Sequence, residues 1–214
     1  MAERAKYETA ITPPGVAAYP KLFEPDRKYK PEGEYSVKLL FDKNDPAWAE
    51  FIEKARKIEA DAYPVMCAEK KKKVLKRAAD WLKEETDKET GEPTGRHYIN
   101  AKLLASGTSK KTNKPWSMRP VILDAKKNPI TKDPKLGSGS VLRLKVEIQP
   151  WFSDALGFGL RFPLRAVQIV SLVQWQRDDS AGFDAEDGGF DSSGGDALEK
   201  VPAGGSTDPD DDGI

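Results

Sequence analysis

Basic and aromatic side chains recur on one side of several strand-like segments, as the alternation of apolar residues predicts. Six cations fall on the side away from the expected core: Lys38, Lys102, Arg143, Lys145, Arg161 and Arg165. By the same alternation, Tyr98 shares its side with Lys102, and Trp151 shares its side with Arg143. Single-stranded nucleic acid is bound by cations that follow phosphates and by rings on which bases stack. The pattern predicts a nucleic acid-binding surface; the alternatives are ordinary solvated cations and two rings partly buried in the core.

A lysine-rich loop over residues 107–116 adds a second group of the same kind. It combines three lysines with an indole: Lys110, Lys111, Lys114 and Trp116. A loop of this composition can close over a strand of nucleic acid, although lysine-rich turns also serve solubility. Trp116 is in addition a core candidate, because alternation groups it with Met118 and Ile122. The lysine run at residues 70–73 is explained more simply as a solvated helix face.

The charge of the chain is divided between two regions. Residues 178–214 carry twelve Asp or Glu and one Lys, a net charge of −11, whereas residues 1–177 carry +11 in a chain of net charge zero. A cationic body attracts polyphosphates. A tethered polyanion competes with them at an effective concentration of roughly millimolar for short flexible links. The tail has too few large apolar side chains to fold, so we expect it to be disordered and to regulate the binding surface.

Other classes of protein find little support. The only cysteine, Cys67, excludes an intramolecular disulfide and a cysteine-cluster metal site, and the only histidine, His97, lies near no nucleophile motif. Neither a Walker-type loop nor a zincin motif occurs, so we expect no enzymatic activity, no cofactor and no metal site. The chain also lacks an apolar run of membrane-span length and a hydrophobic N-terminal signal segment, which predicts a soluble, intracellular protein.

Two alternatives remain open. A small metal-dependent nuclease would need carboxylates that converge inside the basic body, and Glu147 and Asp154 are the candidates. An assembly or scaffolding protein would instead use the acidic tail as a mimic of DNA, and it would bind no single strand even without that tail.

The elements that position these residues are mainly strands. Short extended stretches are expected near residues 7–11 and 17–23. Longer strands are expected over residues 34–42, 97–105, 117–124, 141–149 and 158–173, the last apolar on both faces from residue 167 onward. Asp45 followed by Pro46 predicts a helix start, and Pro64 predicts its end. A second helix is expected over residues 68–85, so that a helical insertion covers about residues 45–86.

This order of elements favours a mainly β fold. Five to six antiparallel strands, with one or two helices inserted after an early strand, are typical of an OB-fold Greek-key barrel. We therefore expect one OB-fold domain over residues 1–177 and a disordered acidic C-terminal tail over residues 178–214.

Three stretches of the chain resemble the single-stranded DNA-binding proteins of podovirus-type bacteriophage replication systems. Residues 105–106, 110–112 and 121–124 are similar to that family's Ala-Ser, Lys-Lys-Thr and Val-Val-Val-Asp segments. Residues 141–146, followed by Pro150, Trp151 and Gly157, are similar to its Lys-Leu-Lys-Val strand and the Pro-aromatic corner after it. Residues 167–172, followed by Asp178 and Asp179, are similar to its last strand.

The resemblance implies an OB fold with a helix insertion and an acidic tail, and a non-enzymatic role in phage DNA replication and recombination. Lys110 and Lys111 would contact single-stranded DNA, and Trp151 would stack on a base. The tail would recruit the phage DNA polymerase, and with it helicase or primase, in the cytoplasm of the infected bacterial host. A homodimer is left open.

Two features depart from the family pattern. The family tail commonly ends in Asp-Phe, whereas this chain ends in Asp-Gly-Ile. Ile214, Phe183 and Phe190 are the candidates to replace the contact of the terminal aromatic residue. Partner binding is expected from the last acidic cluster and the terminus: Asp208, Asp210, Asp211, Asp212 and Ile214. The lysine run at residues 70–73 has no counterpart in the family.

Overall fold

The computed structural model describes residues 7–109 and 111–175. In chain order its elements are β1 (Glu8–Ile11), β2 (Gly15–Asp26), β3 (Glu34–Asp42), α1 (Pro46–Glu69), β4 (Lys83–Thr86), β5 (Pro93–Leu104), β6 (Ser106–Thr108), β7 (Pro115–Ser117), β8 (Val121–Leu123), β9 (Val141–Ser153) and β10 (Gly157–Ser171). The acidic tail, with its expected partner-binding residues, and Lys110 lie outside the described residues.

Five of the strands close into a ring. β2 pairs with β3, β3 with β5, β5 with β10, β10 with β9, and β9 returns to β2. Around this ring, β1 pairs with β9, β4 with β5 and β8 with β10, while β6 and β7 form a separate hairpin. The prediction of a mainly β fold is confirmed.

Two details of the predicted sheet are wrong. The described residues form ten strands rather than five or six, partly because the segment expected at residues 117–124 divides into β7 and β8. Pro120 lies between them, and a proline cannot donate a ladder hydrogen bond. The sheet is also not purely antiparallel, since β5 and β8 both run parallel to β10.

Alternation along the strands builds the core as predicted. The inward residues of β3, β5 and β9 are all buried: Tyr35, Val37, Leu39, Phe41, Ile99, Ala101, Leu103, Leu142, Leu144, Val146 and Ile148. The last strand differs from its prediction. Val167 and Ile169 are buried, but Val170, on the other face of β10, is 44% exposed. Leu172 and Val173 are also exposed, because β10 ends at Ser171. The expectation of a strand buried on both faces to residue 173 is therefore wrong.

The helix begins as predicted but continues past Pro64. Asp45 caps it by accepting a hydrogen bond from the Ala47 amide, and Trp48 stacks on Phe41 with ring centroids 3.7 Å apart. Proline removes one helical hydrogen bond, yet the helix continues to Glu69 because its last turns pack Cys67 against the buried Phe158. No helix in the described ranges is long and apolar enough to cross a membrane.

The second helix expected at residues 68–85 is absent from the described structure. The first helix ends there in a Schellman motif, with Lys71 in the left-handed region at φ 53° and the Lys72 amide bonded to the Cys67 carbonyl at 3.0 Å. Residues 70–82 then run irregularly to β4, which adds to the edge of β5. The helical insertion is therefore one helix, Pro46–Glu69, rather than two.

Candidate nucleic-acid interface

A shallow cleft of about 820 Å³ lies over the outer surface of β5, β9 and β10. Three of the predicted site residues line it: Lys102, Arg161 and Arg165. They converge because β10 pairs with both neighbours, which sets Pro163 beside Lys102 and Arg161 opposite Gln149. Lys30, in the turn before β3, adds a fourth cation that the sequence analysis missed. No alternation signal marks it, because it lies in no strand.

Polar and acidic side chains hold the cations of the cleft in place. The Lys102 ammonium lies 2.7 Å from Glu34, which Lys30 also contacts. Arg165 donates two hydrogen bonds of 2.8 Å to Glu147, and this bidentate geometry fixes the plane of its guanidinium. The cleft is therefore cationic but partly neutralised by two carboxylates.

The side chain of Glu34 is ionised more readily than an ordinary glutamate. Its partial burial alone would raise its pKa, but hydrogen bonds from Lys102 and Lys30 outweigh that effect and lower the pKa. The carboxylate accordingly remains charged, and its two lysines remain oriented, at every pH near neutrality.

Arg161 has a different kind of partner from the other cations of the cleft. Its Nε atom donates a 2.8 Å hydrogen bond to the neutral Gln149 side chain, and the guanidinium itself is exposed. A neutral partner orients the side chain without cancelling its charge. Arg161 is thus the cation of this group most available to an incoming phosphate.

Lys38 and Tyr98 form a pair beside the cleft. The Lys38 ammonium lies 3.8 Å from the centroid of the Tyr98 ring, within cation–π range. Both side chains are half-buried on the outside of the ring of strands, and Lys38 lies opposite Asn100, which itself lines the cleft. The predicted association of Tyr98 with cations is therefore present, with Lys38 as its closest partner.

Tyr19 is an aromatic ring that the sequence analysis did not select. Between Ala18 and Lys21 the register of β2 against β3 shifts by one residue, and Tyr19 occupies this bulge with φ 50° and 61% exposure. Bulges re-aim side chains and strained backbone is concentrated at functional sites. Lys88 donates a hydrogen bond to the Tyr19 hydroxyl, which lowers the pKa of that phenol. The sequence signal that could have marked this bulge is Pro20, the proline that follows Tyr19 inside a strand-like segment.

Trp151 lies on the same outer face of β9 as the cleft residues Glu147 and Gln149, one step further toward the tip of the β9–β10 hairpin. It lies opposite Gly159, one alternation step from the pair of Gln149 and Arg161, and that step is about 7 Å along a strand. Its half-buried indole covers the glycine, since a Cβ atom at Gly159 would lie 3.6 Å from the indole Nε1. The ring is therefore held on the outer surface rather than in the core.

The lysine-rich loop forms the β6–β7 hairpin at the rim of the cleft. Lys111 and Lys114 are exposed at its turn, and Trp116 is half-buried over Gly107 rather than in the core. The Met118 amide, which follows the hairpin, bonds to the Ala105 carbonyl at 2.7 Å, and Met118 lines the cleft. The hairpin thus rises from the edge of the cleft.

Arg143 and Lys145 do not join the cleft. Both are exposed on β9, where Arg143 contacts the Thr12 carbonyl at 3.5 Å and Lys145 lies opposite Ile11 of β1. They precede the cleft residues of β9 along the chain and line neither the cleft nor the hairpin. The structure therefore separates these two from the other predicted site residues.

The carboxylates proposed for a nuclease are not arranged together. Glu147 is bound by Arg165, and Asp154 is exposed at the tip of the β9–β10 hairpin with its oxygen 3.5 Å from Lys72. Among the described residues, no group of three or more metal-ligating side chains converges. The geometry thus offers no assembled metal centre around these two residues.

Comparison with known proteins agrees with the geometry. Residues 15–172 match the family of the bacteriophage T7 single-stranded DNA-binding protein. The single-stranded DNA-binding protein of Enterobacteria phage T3 is 26% identical over 172 residues, covering 76% of this chain and 73% of the relative. That of Escherichia phage T7 is 26% identical over 190 residues, covering 85% and 81%.

Solved structures show the same fold. The crystal structure of gp2.5, the single-stranded DNA-binding protein of bacteriophage T7, superposes with a TM-score of 0.67 at 24% identity, over 88% of this chain and 100% of that one. The single-stranded DNA-binding protein of bacteriophage Enc34, solved in complex with single-stranded DNA, superposes with a TM-score of 0.53 at 16% identity, over 78% and 88%. With a family match over most of its length, this chain belongs to the bacteriophage T7 single-stranded DNA-binding protein family.

Proposed function

We propose that the protein binds single-stranded DNA without sequence preference and acts in phage DNA replication and recombination. The observation that carries the proposal is the convergence of Lys102, Arg161 and Arg165 in one cleft, with an aromatic ring at each side. Tyr98 with Lys38 lies on one side, and Trp151 lies on the other. Phosphate contacts and base stacking tolerate any base, so this surface fits coating of exposed strands rather than recognition of a site.

The ring of strands supports this assignment. Counted along the chain, the five ring strands are β2, β3, β5, β9 and β10, and the third, β5, runs parallel to the fifth, β10. We propose that this ring is an OB-fold barrel. OB folds bind oligonucleotides over the face of their second and third strands. Those strands are β3 and β5 here, and they carry Lys38, Tyr98 and Lys102. The cleft borders that face along β5 and at Glu34 of β3, and it extends from there over β9 and β10. The proposed role is binding rather than catalysis.

The loops at the rim extend this surface in the proposal. Lys111, Lys114 and Trp116 stand on a hairpin whose base borders the cleft, so that hairpin could fold over a bound strand. Lys110, next to them in sequence, belongs to the same proposal. Arg143 and Lys145 lie apart and contribute to the general positive field rather than to a contact.

The acidic tail completes the proposed mechanism. Residues 178–214, with a net charge of −11, would compete with DNA for the cationic body and would recruit the phage DNA polymerase in the cytoplasm of the infected host. Deleting them should raise affinity for single-stranded DNA most at low salt, because screening over about 8–10 Å weakens both attractions as salt rises. The same deletion should abolish polymerase binding. Unchanged DNA affinity with retained polymerase binding would reduce the tail to a solubility element.

Fluorescence anisotropy with single- and double-stranded oligonucleotides over a salt series tests the central proposal. If about four phosphates are neutralised, log K against log salt should have a slope near −3 for the single strand. The single strand should bind more tightly than the duplex at each salt concentration. Equal or tighter binding of the duplex throughout would overturn the proposal of a single-strand cleft.

A further inference from the structure

Residues 70–77, here called the lysine segment, carry a dense group of cations outside the cleft. Six of the eight residues are basic and all six are exposed: Lys70, Lys71, Lys72, Lys73, Lys76 and Arg77. The sequence favoured a solvated helix face for this run, but the structure shows an irregular segment between α1 and β4. A helix would distribute these cations around its axis, whereas this segment follows the molecular surface.

The lysine segment is pinned although it has no regular structure of its own. The Tyr63 hydroxyl accepts a 3.1 Å hydrogen bond from the Leu75 amide and donates one of 2.9 Å to the Leu75 carbonyl. Leu75 itself is buried, at 3% exposure. The Phe158 amide donates to the Lys76 carbonyl at 2.7 Å. A segment held in this way loses little backbone entropy when a ligand contacts it.

The C-terminal end of the lysine segment lies next to Trp151, where the cleft surface ends. Its bridge to Phe158 sets it beside Gly159, the residue that Trp151 covers. A Cβ atom at Gly159 would lie 3.1 Å from Ala78 Cβ and 3.6 Å from the Trp151 Nε1 atom, so the indole and the end of the segment are neighbours. The outer surface therefore continues without a break from Arg161 to Trp151 and then to the lysine segment.

Phe152, the residue after Trp151 in β9, ties the first lysines of the segment to the β9–β10 hairpin. The ammonium groups of Lys70 and Lys72 lie 5.4 and 5.8 Å from the centroid of the Phe152 ring. These cation–π contacts bring the first lysines of the segment onto the tip of the β9–β10 hairpin. The Phe152 ring itself packs against the Phe158 cluster on the face of the hairpin opposite Trp151, so these contacts anchor the segment and do not add a stacking ring.

Among the described residues, few carboxylates pair with the cations of the lysine segment. Within the described ranges its ion pairs are two long ones, Lys72 to Asp154 at 3.5 Å and Arg77 to Glu59 at 3.9 Å. Lys71, Lys73 and Lys76 have no ion pair in that part of the chain. Such cations retain counterions that a nucleic acid can release, which is the main source of affinity for polyanions.

We propose that the lysine segment is a second contact for the same single strand, binding the phosphates of nucleotides beyond the base stacked on Trp151. The inference rests on the proposed function and lengthens its site. Short oligonucleotides would occupy the cleft alone, whereas longer ones would reach the segment as well. OB folds occupy about 4–16 nucleotides, so oligothymidylates of about 4 and about 16 nucleotides distinguish the two cases.

The test is a charge-neutralising triple variant, K71Q/K73Q/K76Q, in the full chain. If each lysine neutralises one phosphate, its salt slope for the long oligonucleotide should be smaller by about 2, and affinity near 0.1 M salt should fall about 10- to 100-fold. Affinity for the short oligonucleotide should change by about twofold or less. The double variant K73Q/K76Q, which leaves the left-handed Lys71 intact, should show the same pattern at about two thirds of the slope change.

The matched control is K126Q/K127Q/K132Q, in the turns before β9. It removes the same three charges, and Lys127 at φ 69° matches Lys71 at φ 53°. It should leave both affinities near those of the unmodified protein. Equal losses in the two triple variants, or equal losses for the two oligonucleotides, would overturn the second contact and leave only a net-charge effect.

Lysine acetylation footprinting of the unmodified protein gives an independent readout. The long oligothymidylate should protect Lys71, Lys73 and Lys76, and the short one should leave them reactive. Protection of the cleft lysine Lys102 without protection of the segment would overturn the inference while supporting the proposed function. If neither the long nor the short oligonucleotide bound, the proposed function itself would be overturned.

Discussion

The cleft and the lysine segment are both cationic, but they hold their charge in different ways. In the cleft, Lys102 and Arg165 are fixed by Glu34 and Glu147, so geometry is defined at the expense of net charge. In the lysine segment the backbone is pinned, while side chains such as Lys73 extend freely into solvent. Oriented cations position a ligand, and uncompensated cations supply salt-dependent affinity. Net charge and positioning are thus divided between two neighbouring surfaces of one small fold.

The largest expected effect comes from separating the lysine segment from the β9–β10 hairpin. Gly157 has φ +98°, and a Cβ atom there would lie 2.5 Å from the Lys76 carbonyl oxygen. G157A should therefore push the two apart and lower the free energy of unfolding by about 2–4 kcal/mol. Urea unfolding measures this, and hydrogen exchange at the Ala78 amide should show the bridge opened.

A second glycine provides the control for backbone strain alone. Gly91 also has a positive φ, +73°, but a Cβ atom there would meet nothing within 4 Å. G91A should cost only about 1–2 kcal/mol, the usual penalty of left-handed backbone. Equal losses in G157A and G91A would mean that the contact with the segment contributes nothing beyond strain.

Next in size is the loss of the ring between the two surfaces. W151A should weaken binding of single-stranded DNA by about 1–3 kcal/mol, because one stacking platform is removed. The loss should appear for short and long oligonucleotides alike, since Trp151 borders both surfaces, and W151F should recover part of it. Anisotropy measures the binding, and thermal unfolding checks the fold. A collapsed fold in W151A would assign the ring to packing rather than to stacking.

A smaller effect should follow from removing a carboxylate of the cleft. E147Q keeps an oxygen acceptor for Arg165 but deletes one negative charge near the proposed phosphate path. We expect affinity for the short oligonucleotide to rise about threefold at low salt and to converge with the unmodified protein at high salt. E53Q, an exposed position on α1, makes the same change in net charge and should have little effect. A weaker E147Q protein would show that orientation of Arg165 outweighs its charge.

The smallest effect concerns pH. The folded pKa of Glu34 lies below the ordinary glutamate value of about 4.3. Its ionisation therefore contributes stability above that value, and the contribution is lost as pH falls through the lower folded pKa. K102M removes a hydrogen bond that lowers this pKa, so its destabilisation should be visible at pH 7 and should shrink at pH 3. Urea unfolding at both pH values measures it; a difference independent of pH would separate Lys102 from the titration of Glu34.

Local patterns predicted the elements whose hydrogen bonds and packing repeat along the chain. Alternation located β3 to its ends and identified the inward residues of β5 and β9. Asp45 with Pro46 marked the start of the helix because capping depends on adjacent residues. The same alternation placed Lys102, Arg161 and Arg165 on the outer surface, since side-chain direction in a strand is a local property.

Local alternation along the chain sets which side chains face outward, whereas long-range strand pairing sets which of them come together. The parallel pairing of β5 with β10 joins Lys102 to the arginines, while Arg143 and Lys145, equal to them by alternation, are left outside. Tertiary contacts also overrode helix propensity at residues 70–78, where Tyr63 and Phe158 supply the hydrogen bonds that a helix would have made internally. These partners are distant in the chain, so no local pattern contains them, and they place the lysine segment beside Trp151.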